Sequence, residues 1–338
     1  IMFIFSLKDF FKTDGHMLSW AVFFAGIFQL IFLYYGIFKN RFSIFFPKPK
    51  YTNKIKKLLT LMIPGAIGAG VIQINLLIDV ILASFLDTGS ISYLYYAERI
   101  NQLPIALIGV ALGTVLLPTL SKQISKNEKR KAFYTQNRAI EFSLILGIPA
   151  FISIFIIADP IISSFFERGE FSTTDRILSA KALQAFAIGV PAYVLVKILA
   201  PIFFARQNTT TPVKIAIFCV FINFIFNIIL MQFYQHVGIA IATAISSWVN
   251  CILLFYILLK SNEVVIDKIL KEKFKKIIVI NLIFAFFIFY FKDYINVISN
   301  FKFLNLAVFV LFSISFYVLL TFFFKIFIFS NYRILKLR

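Results

Sequence analysis

Nine long apolar stretches follow one another along this chain, with short polar gaps between them. They occupy 17–38, 58–85, 91–120, 139–158, 181–205, 213–233, 236–259, 274–291 and 303–328. A helix rises about 1.5 Å per residue, so about 20 apolar residues cross the hydrocarbon of a bilayer. The pattern predicts an all-α polytopic membrane protein with about nine transmembrane helices. The eighth stretch has the shortest uncharged core. Residues 1–7 (IMFIFSL) read as the end of one more apolar helix. With no initiator Met at position 1 and no signal-peptide pattern, the chain is expected to be truncated at its N-terminus.

The charges sharpen this picture. Of the 34 Lys and Arg residues, 25 fall in every second gap: 39–57, 121–138, 206–214, 260–276 and the tail 325–338. The gaps between them carry only Arg168, Arg176, Lys181, Lys292 and Lys302. Short loops rich in Lys and Arg stay on the cytoplasmic side. Loops 39–57, 121–138, 206–214 and 260–276 are therefore expected inside, and 86–90, 159–180 and 292–302 outside. A net charge of +19 on a soluble protein would point to nucleic acid. Here 60% hydrophobic content and a mean hydropathy of +0.90 exclude a nucleic-acid partner and make the charge a topology signal.

Candidate catalytic chemistry is sparse. His16 and His236 are the two histidines, far apart in the chain. There is no HExxH, no Cys/His cluster, no GxSxG and no GxxxxGK[ST]. Cys219 and Cys251 lie inside apolar stretches and read as small packing residues. The gap at 159–180 holds Asp159, Glu167, Glu170 and Asp175, either paired carboxylates or a solvated connector. No catalytic residue and no metal ligand set beyond a possible Na⁺ site emerges. A chain that is nearly all membrane helix reads as a transporter, channel or flippase, not an enzyme.

Polar residues within the stretches carry more information, because burying charge in lipid costs about 2.5–3.5 kcal/mol on insertion scales. Asn75 and Asp79 share a helical face, and so do Asn223 and Asn227. With Thr243 they offer oxygen atoms, which suit a hard cation such as Na⁺ or plain interhelical hydrogen bonds. Arg99 lies about 13 Å along a helix from Ser90. Its neighbour Glu98 points about 100° away, so Arg99 needs another acid, water or an anionic substrate. The alternatives are outward snorkelling or a structural bridge to Glu141 or Asp79. Lys197 lies deep in the fifth stretch and either pairs with an acid or lines a cavity. Pro64, Gly65, Gly68, Gly70, Pro104, Gly109, Gly113, Pro149 and Pro191 mark helices that are either flexible or closely packed.

Five strings in order carry a resemblance: QINLLIDVILASFL (73–86), SYLYYAERINQLPIALIGVALGTVLLPTLS (92–121), NRAIEFSLILGIPA (137–150), ADPIISSFFERGEF (158–171) and LVKILAPIFFARQNTTTPVKIA (195–216). Together, across about 57–260, the chain resembles the lipid II flippases of the MviN/MurJ family. They belong to the multidrug/oligosaccharidyl-lipid/polysaccharide exporter superfamily. The resemblance implies a two-lobed fourteen-helix transporter fold of which these are helices six to fourteen. It implies four segments: 1–16, the end of a truncated helix and an outer loop; 17–57, the last helix of the first lobe and a basic loop; 58–260, a six-helix second lobe; and 261–338, two extra helices forming a lipid-tail groove, with a basic tail. It also implies transport of lipid II across the bacterial inner membrane, with membrane lipid and other cell-wall synthesis proteins as partners. Arg99 falls on the family's phosphate-contacting position in YYAER, and Glu98 and Lys197 join it as substrate-binding candidates. Asp79, Asn223, Asn227 and Thr243 occupy the places of a cation site, with Asn227 where an Asp can stand. Competing readings are an exporter of another polyprenyl-linked glycan or of small organic cations, and a membrane enzyme on a lipid-linked intermediate.

Overall fold

The structure is a computed structural model that describes residues 13–40, 52–296 and 301–326. Residues 1–7, the centre of the basic gap 39–57 and the tail from 327 lie outside the described residues. Two compact units result, 1–56 and 57–338.

In the first unit, α1 (Asp14–Lys39) starts at Thr13, whose hydroxyl accepts from the His16 amide at 3.3 Å. Phe28, Leu30 and Phe32 are exposed in succession. A helix apolar all round is a membrane span. His16 serves this cap: its Nδ1 lies 2.9 Å from Thr13 Oγ1.

The remaining helices are α2 (Asn53–Ala83), α3 (Ser90–Pro104), α4 (Ala111–Ser125), α5 (Lys129–Ile156), α6 (Ala158–Phe166), α7 (Thr173–Phe204), α8 (Thr210–Lys260), α9 (Lys268–Phe291) and α10 (Lys302–Phe323). Among the described residues, eight continuous stretches of helix are long and apolar enough to cross a membrane. One of them, α8, is two crossings. Its 51 residues would span about 77 Å as a straight helix, far more than a bilayer of about 30 Å. It turns back at Gln235, where φ is 53° and ψ is −137°. Asn223 Nδ2 then meets Thr243 Oγ1 at 3.1 Å, and Ser246 Oγ meets the Cys219 carbonyl at 2.8 Å. These pairs join the two arms across the turn, as an antiparallel hairpin requires. Gly238 faces the Leu230 carbonyl across it, where a Cβ would come within 2.3 Å. With α8 counted as two, the described residues hold nine stretches of helix able to cross, at the nine places the sequence pattern predicts.

Two expectations need correction. The stretch 91–120 is not one regular helix. After Pro104 it widens into a π-helix, Ile105–Val110, before α4 begins. Proline lacks the N–H that would bond one turn back, so the ladder must shift there. The gap 159–180 is not merely a solvated connector. It holds α6 and the first turns of α7, with a reciprocal capping box between Ser172 and Asp175.

α7 is the axis of the second unit. Ala182, Leu183, Ala187, Val190, Val194 and Ile198 on it have no exposed surface. Small residues let neighbouring backbones approach, the usual basis of helix packing in lipid. A Cβ on Gly113 would stand 2.7 Å from the Lys197 carbonyl, and one on Gly109 would stand 3.1 Å from the Lys197 Cγ. These glycines are therefore packing residues against α7.

The loops sort into two ends. At one, Tyr93 donates to Asp175, its ring lies 5.2 Å from that of His236, and Lys302 reaches Glu167. At the other, Gln123 bonds Thr135, Arg206 bonds the Glu263 carbonyl, and Lys276 bonds the Phe324 carbonyl. The first set belongs to the charge-poor gaps and the second to the charge-rich ones, as alternating crossings demand.

Candidate functional site

Arg99 projects from the unpacked side of α3. Leu94, Ala97, Ile100 and Asn101 are buried and face the bundle, whereas Arg99 is exposed on the opposite face. Its guanidinium lies over the Tyr95 ring, 4.6 Å from the centroid. Glu98 is engaged elsewhere, accepting from Gln102 Nε2 at 2.9 Å. Among the described residues Arg99 forms no salt bridge. Neither acid weighed as its partner is open: Glu141 holds Arg138 and Lys273, and Asp79 holds Asn227 and Thr243.

Asp79, Asn223, Asn227 and Thr243 come together from α2 and the two arms of α8. Asn227 Nδ2 donates to Asp79 Oδ1 at 2.6 Å and to Asn223 Oδ1 at 2.8 Å. Asn223 Nδ2 donates to Thr243 Oγ1 at 3.1 Å, and Thr243 Oγ1 to Asp79 Oδ2 at 3.3 Å. Asn75 Nδ2 lies 3.5 Å from Asp79 Oδ2, at the limit of a bond. Asn223 and Asn227 are fully buried, and Asn227 Oδ1 has no partner. An orphaned buried acceptor beside a carboxylate and two more side-chain oxygens fits a hard cation. No group of three or more His, Cys, Asp or Glu able to hold a metal occurs among the described residues.

Lys197 stays exposed, with its stem laid across Gly109. Lys197 forms no ion pair among the described residues, so pairing with an acid, one of its two expected roles, is not seen in this geometry.

Of the four acids at the charge-poor end, Asp159, Glu167 and Asp175 are structural. Arg176 bridges Asp159 at 3.0 Å and Glu167 at 3.3 Å, and Lys302 reaches Glu167 at 2.8 Å. Lys302, then the Ser163 hydroxyl and the Arg176 charge, hold the Glu167 carboxyl down to about 2. Asp175 serves the cap and accepts from Tyr93 at 2.9 Å. Glu170 is exposed. Cavities of about 580 and 550 Å³ open beside Tyr93, and neither is lined by Arg99, Asp79 or Lys197.

A polar clasp at the charge-rich end escaped the sequence. Arg138 grips both oxygens of Asp267 at 2.9 and 2.8 Å and also holds Glu141. Lys273 takes the other Glu141 oxygen, and Asn137 bonds the Val265 carbonyl at 2.7 Å and accepts from the Asp267 amide at 3.1 Å. The clasp ties the 261–267 link and α9 to α5. Its one legible signal was Glu141, an acid at the mouth of a span.

A family model described as "Lipid II flippase MurJ" matches residues 1–326. The chain belongs to the MurJ family of lipid II flippases. A probable lipid II flippase MurJ of Rhizobium tropici is 40% identical over 253 residues, covering 75% of this chain and 47% of that protein. One of Rickettsia prowazekii (strain Madrid E) is 38% identical over 284 residues, covering 82% and 55%. The chain thus spans about half the length of the curated relatives it matches. The solved structure of a lipid II flippase MurJ in an inward closed conformation superposes with a TM-score of 0.68 at 31% identity, over 87% of this chain and 60% of that one. An outward-facing MATE-family transporter shares the fold alone, with a TM-score of 0.57 at 16% identity over 80% and 65%. The chain is a multi-pass, all-helical membrane protein of the MurJ type.

Proposed function

We propose that this protein flips lipid II, the lipid-linked peptidoglycan precursor, from the cytoplasmic to the periplasmic leaflet of the bacterial inner membrane by alternating access. The observation that carries the reading is Arg99: an exposed guanidinium on a membrane helix, stacked near an aromatic ring and, among the described residues, in no salt bridge. A cation with no ion pair among the described residues is expensive in that setting and marks a substrate path. A guanidinium matches the oxygens of a pyrophosphate in bidentate fashion. Lys197 adds a second exposed cation, and Glu98 belongs to the same surface. The protein acts as a transporter, not as an enzyme, and the charge-rich loop ends face the cytoplasm. Membrane lipid and other cell-wall synthesis proteins complete its setting.

Asp79, Asn223, Asn227 and Thr243 hold Na⁺ in this reading. The bound ion would supply positive charge to the Asp79 carboxylate and draw α2 and both arms of α8 together. The Asn223 and Asn227 amides would turn their oxygens inward, which gives the orphaned Asn227 Oδ1 a partner.

Complementation of flippase loss, normalised to membrane abundance, tests the main reading. Bidentate contact predicts that Arg99→Ala and Arg99→Lys both fail. Normal abundance with full complementation by Arg99→Ala would remove Arg99 from substrate binding. A hydrolysis or transfer assay on lipid II distinguishes flippase from enzyme.

A further inference from the structure

Arg99 and Glu98 are chain neighbours of opposite charge on a membrane helix, yet they do not pair. Glu98 is held by Gln102, four residues on, at 2.9 Å. Arg99 is held by Tyr95, four residues back, at 4.6 Å from the ring centroid. Each charge therefore has a neutral partner one turn away, on its own side of the helix. Successive residues diverge by about 100°, but both side chains are long and can bend toward each other. Away from bulk water their attraction is strong. Without a competing partner, the acid would be drawn onto the guanidinium.

The two partners act differently. Tyr95 lies under the face of the guanidinium, which leaves the N–H groups along its edge available. A carboxylate would occupy that edge, the same edge a phosphate needs. Arg138 shows the alternative in this molecule: Asp267 and Glu141 take its two terminal nitrogens, and its remaining Nε is buried.

We propose that Gln102 is a positioning residue for anion recognition: it detains the Glu98 carboxylate so that Arg99 meets a phosphate-bearing ligand without being neutralised first. The inference rests on the reading of Arg99 as the anion-binding residue. It gives the YYAER segment an extended form, from Tyr95 to Gln102, in which two neutral side chains separate an adjacent ion pair. Gln102 itself need not touch the ligand.

The test has two arms on the protein in lipid nanodiscs. The first needs no ligand. Phenylglyoxal modifies guanidinium groups that carboxylates do not hold, and peptide mass spectrometry reads each arginine separately. Gln102→Leu should slow modification of Arg99 about three- to tenfold, as the freed acid moves onto it. Adding Glu98→Gln to Gln102→Leu should restore the parent rate, with Arg138 slow throughout. In the second arm, binding of farnesyl pyrophosphate should fall and recover in the same order. The inference is overturned if Gln102→Leu leaves Arg99 at the parent rate, or if the double variant stays slow, as a merely structural Gln102 requires. If the reactivities follow the expected order but the parent does not bind farnesyl pyrophosphate, positioning by Gln102 stands and the anion-binding reading of Arg99 is the part that fails.

Discussion

Arg138 and Arg99 both stand on membrane helices, and their surroundings differ in kind. Arg138 sits at the charge-rich end with a side chain only 16% exposed, and it is closed by Asp267 and Glu141. Arg99 stands exposed, with Tyr95 beneath it and Glu98 turned toward Gln102. An arginine whose edge is filled by carboxylates fastens helices together. One offered only an aromatic face leaves its donors open, as the proposed contact with an anion requires. In the proposed reading the two regions divide the labour of the fold: the clasp uses its charges for stability, and the Arg99 face withholds them.

The largest test of that division is Arg138→Ala. It leaves Asp267 without its guanidinium and Glu141 with Lys273 alone. Removing one partner of a buried pair costs about 3–5 kcal/mol. The variant should lose thermal stability and membrane abundance while the molecules that do fold still bind a pyrophosphate lipid. Normal abundance with lost binding would invert the comparison. Gly113→Ala comes next. Its new Cβ would stand 2.7 Å from the Lys197 carbonyl, which is backbone and cannot swing aside. Overpacking of this kind costs about 1–3 kcal/mol. A melting temperature equal to the parent's would show that α4 and α7 are not locked there.

A third, smaller effect concerns Asp79. If the cluster takes Na⁺, exchanging KCl for NaCl at constant ionic strength should stabilise the protein by about 1.4 kcal/mol at ten times the Kd. Asp79→Ala should abolish the difference, and an equal response in both proteins removes the site. The smallest effect is that of Glu167. Its folded-state carboxyl lies near 2 against an ordinary 4.5. The stability it contributes is complete above the ordinary value and is lost as pH falls from about 4.5 toward 2. After allowance for solvent screening this amounts to about 1 kcal/mol. Glu167→Gln should flatten that part of the stability profile, and an unchanged acid limb would show that the Lys302 and Arg176 contacts contribute nothing.

Much of the fold was legible because membrane crossing imposes length. Even the break inside α8 could be read, since FYQH at 233–236 interrupts two apolar runs, and the turn falls at Gln235. The π-helix after Pro104 was not legible. Pro104, Gly109 and Gly113 are compatible with either a flexible or a close-packed helix until α7 is seen against them. Four-residue spacing put Asn223 and Asn227 on one face, but their meeting with Asp79 spans 148 residues and no local pattern encodes it. The clasp was hidden for the same reason. Arg138 and Asp267 lie 129 residues apart, each in a basic gap that already had a sufficient explanation as a topology signal. Arg99 stood out because a lone intramembrane arginine is costly wherever it points. What held Glu98 away from it depended on a glutamine that nothing in the sequence distinguished.

The central claim is that Arg99, unlike Arg138, is kept open for a phosphate. The most direct measurement is binding of a pyrophosphate lipid to nanodisc-embedded protein carrying Arg99→Lys or Arg138→Lys, each normalised to folded protein. The account predicts that Arg99→Lys loses at least about tenfold in affinity, because the planar fork is gone, with no change in melting temperature. Arg138→Lys should melt earlier and bind as the parent does. Parent-like binding by Arg99→Lys, together with weakened binding by Arg138→Lys, would contradict the account.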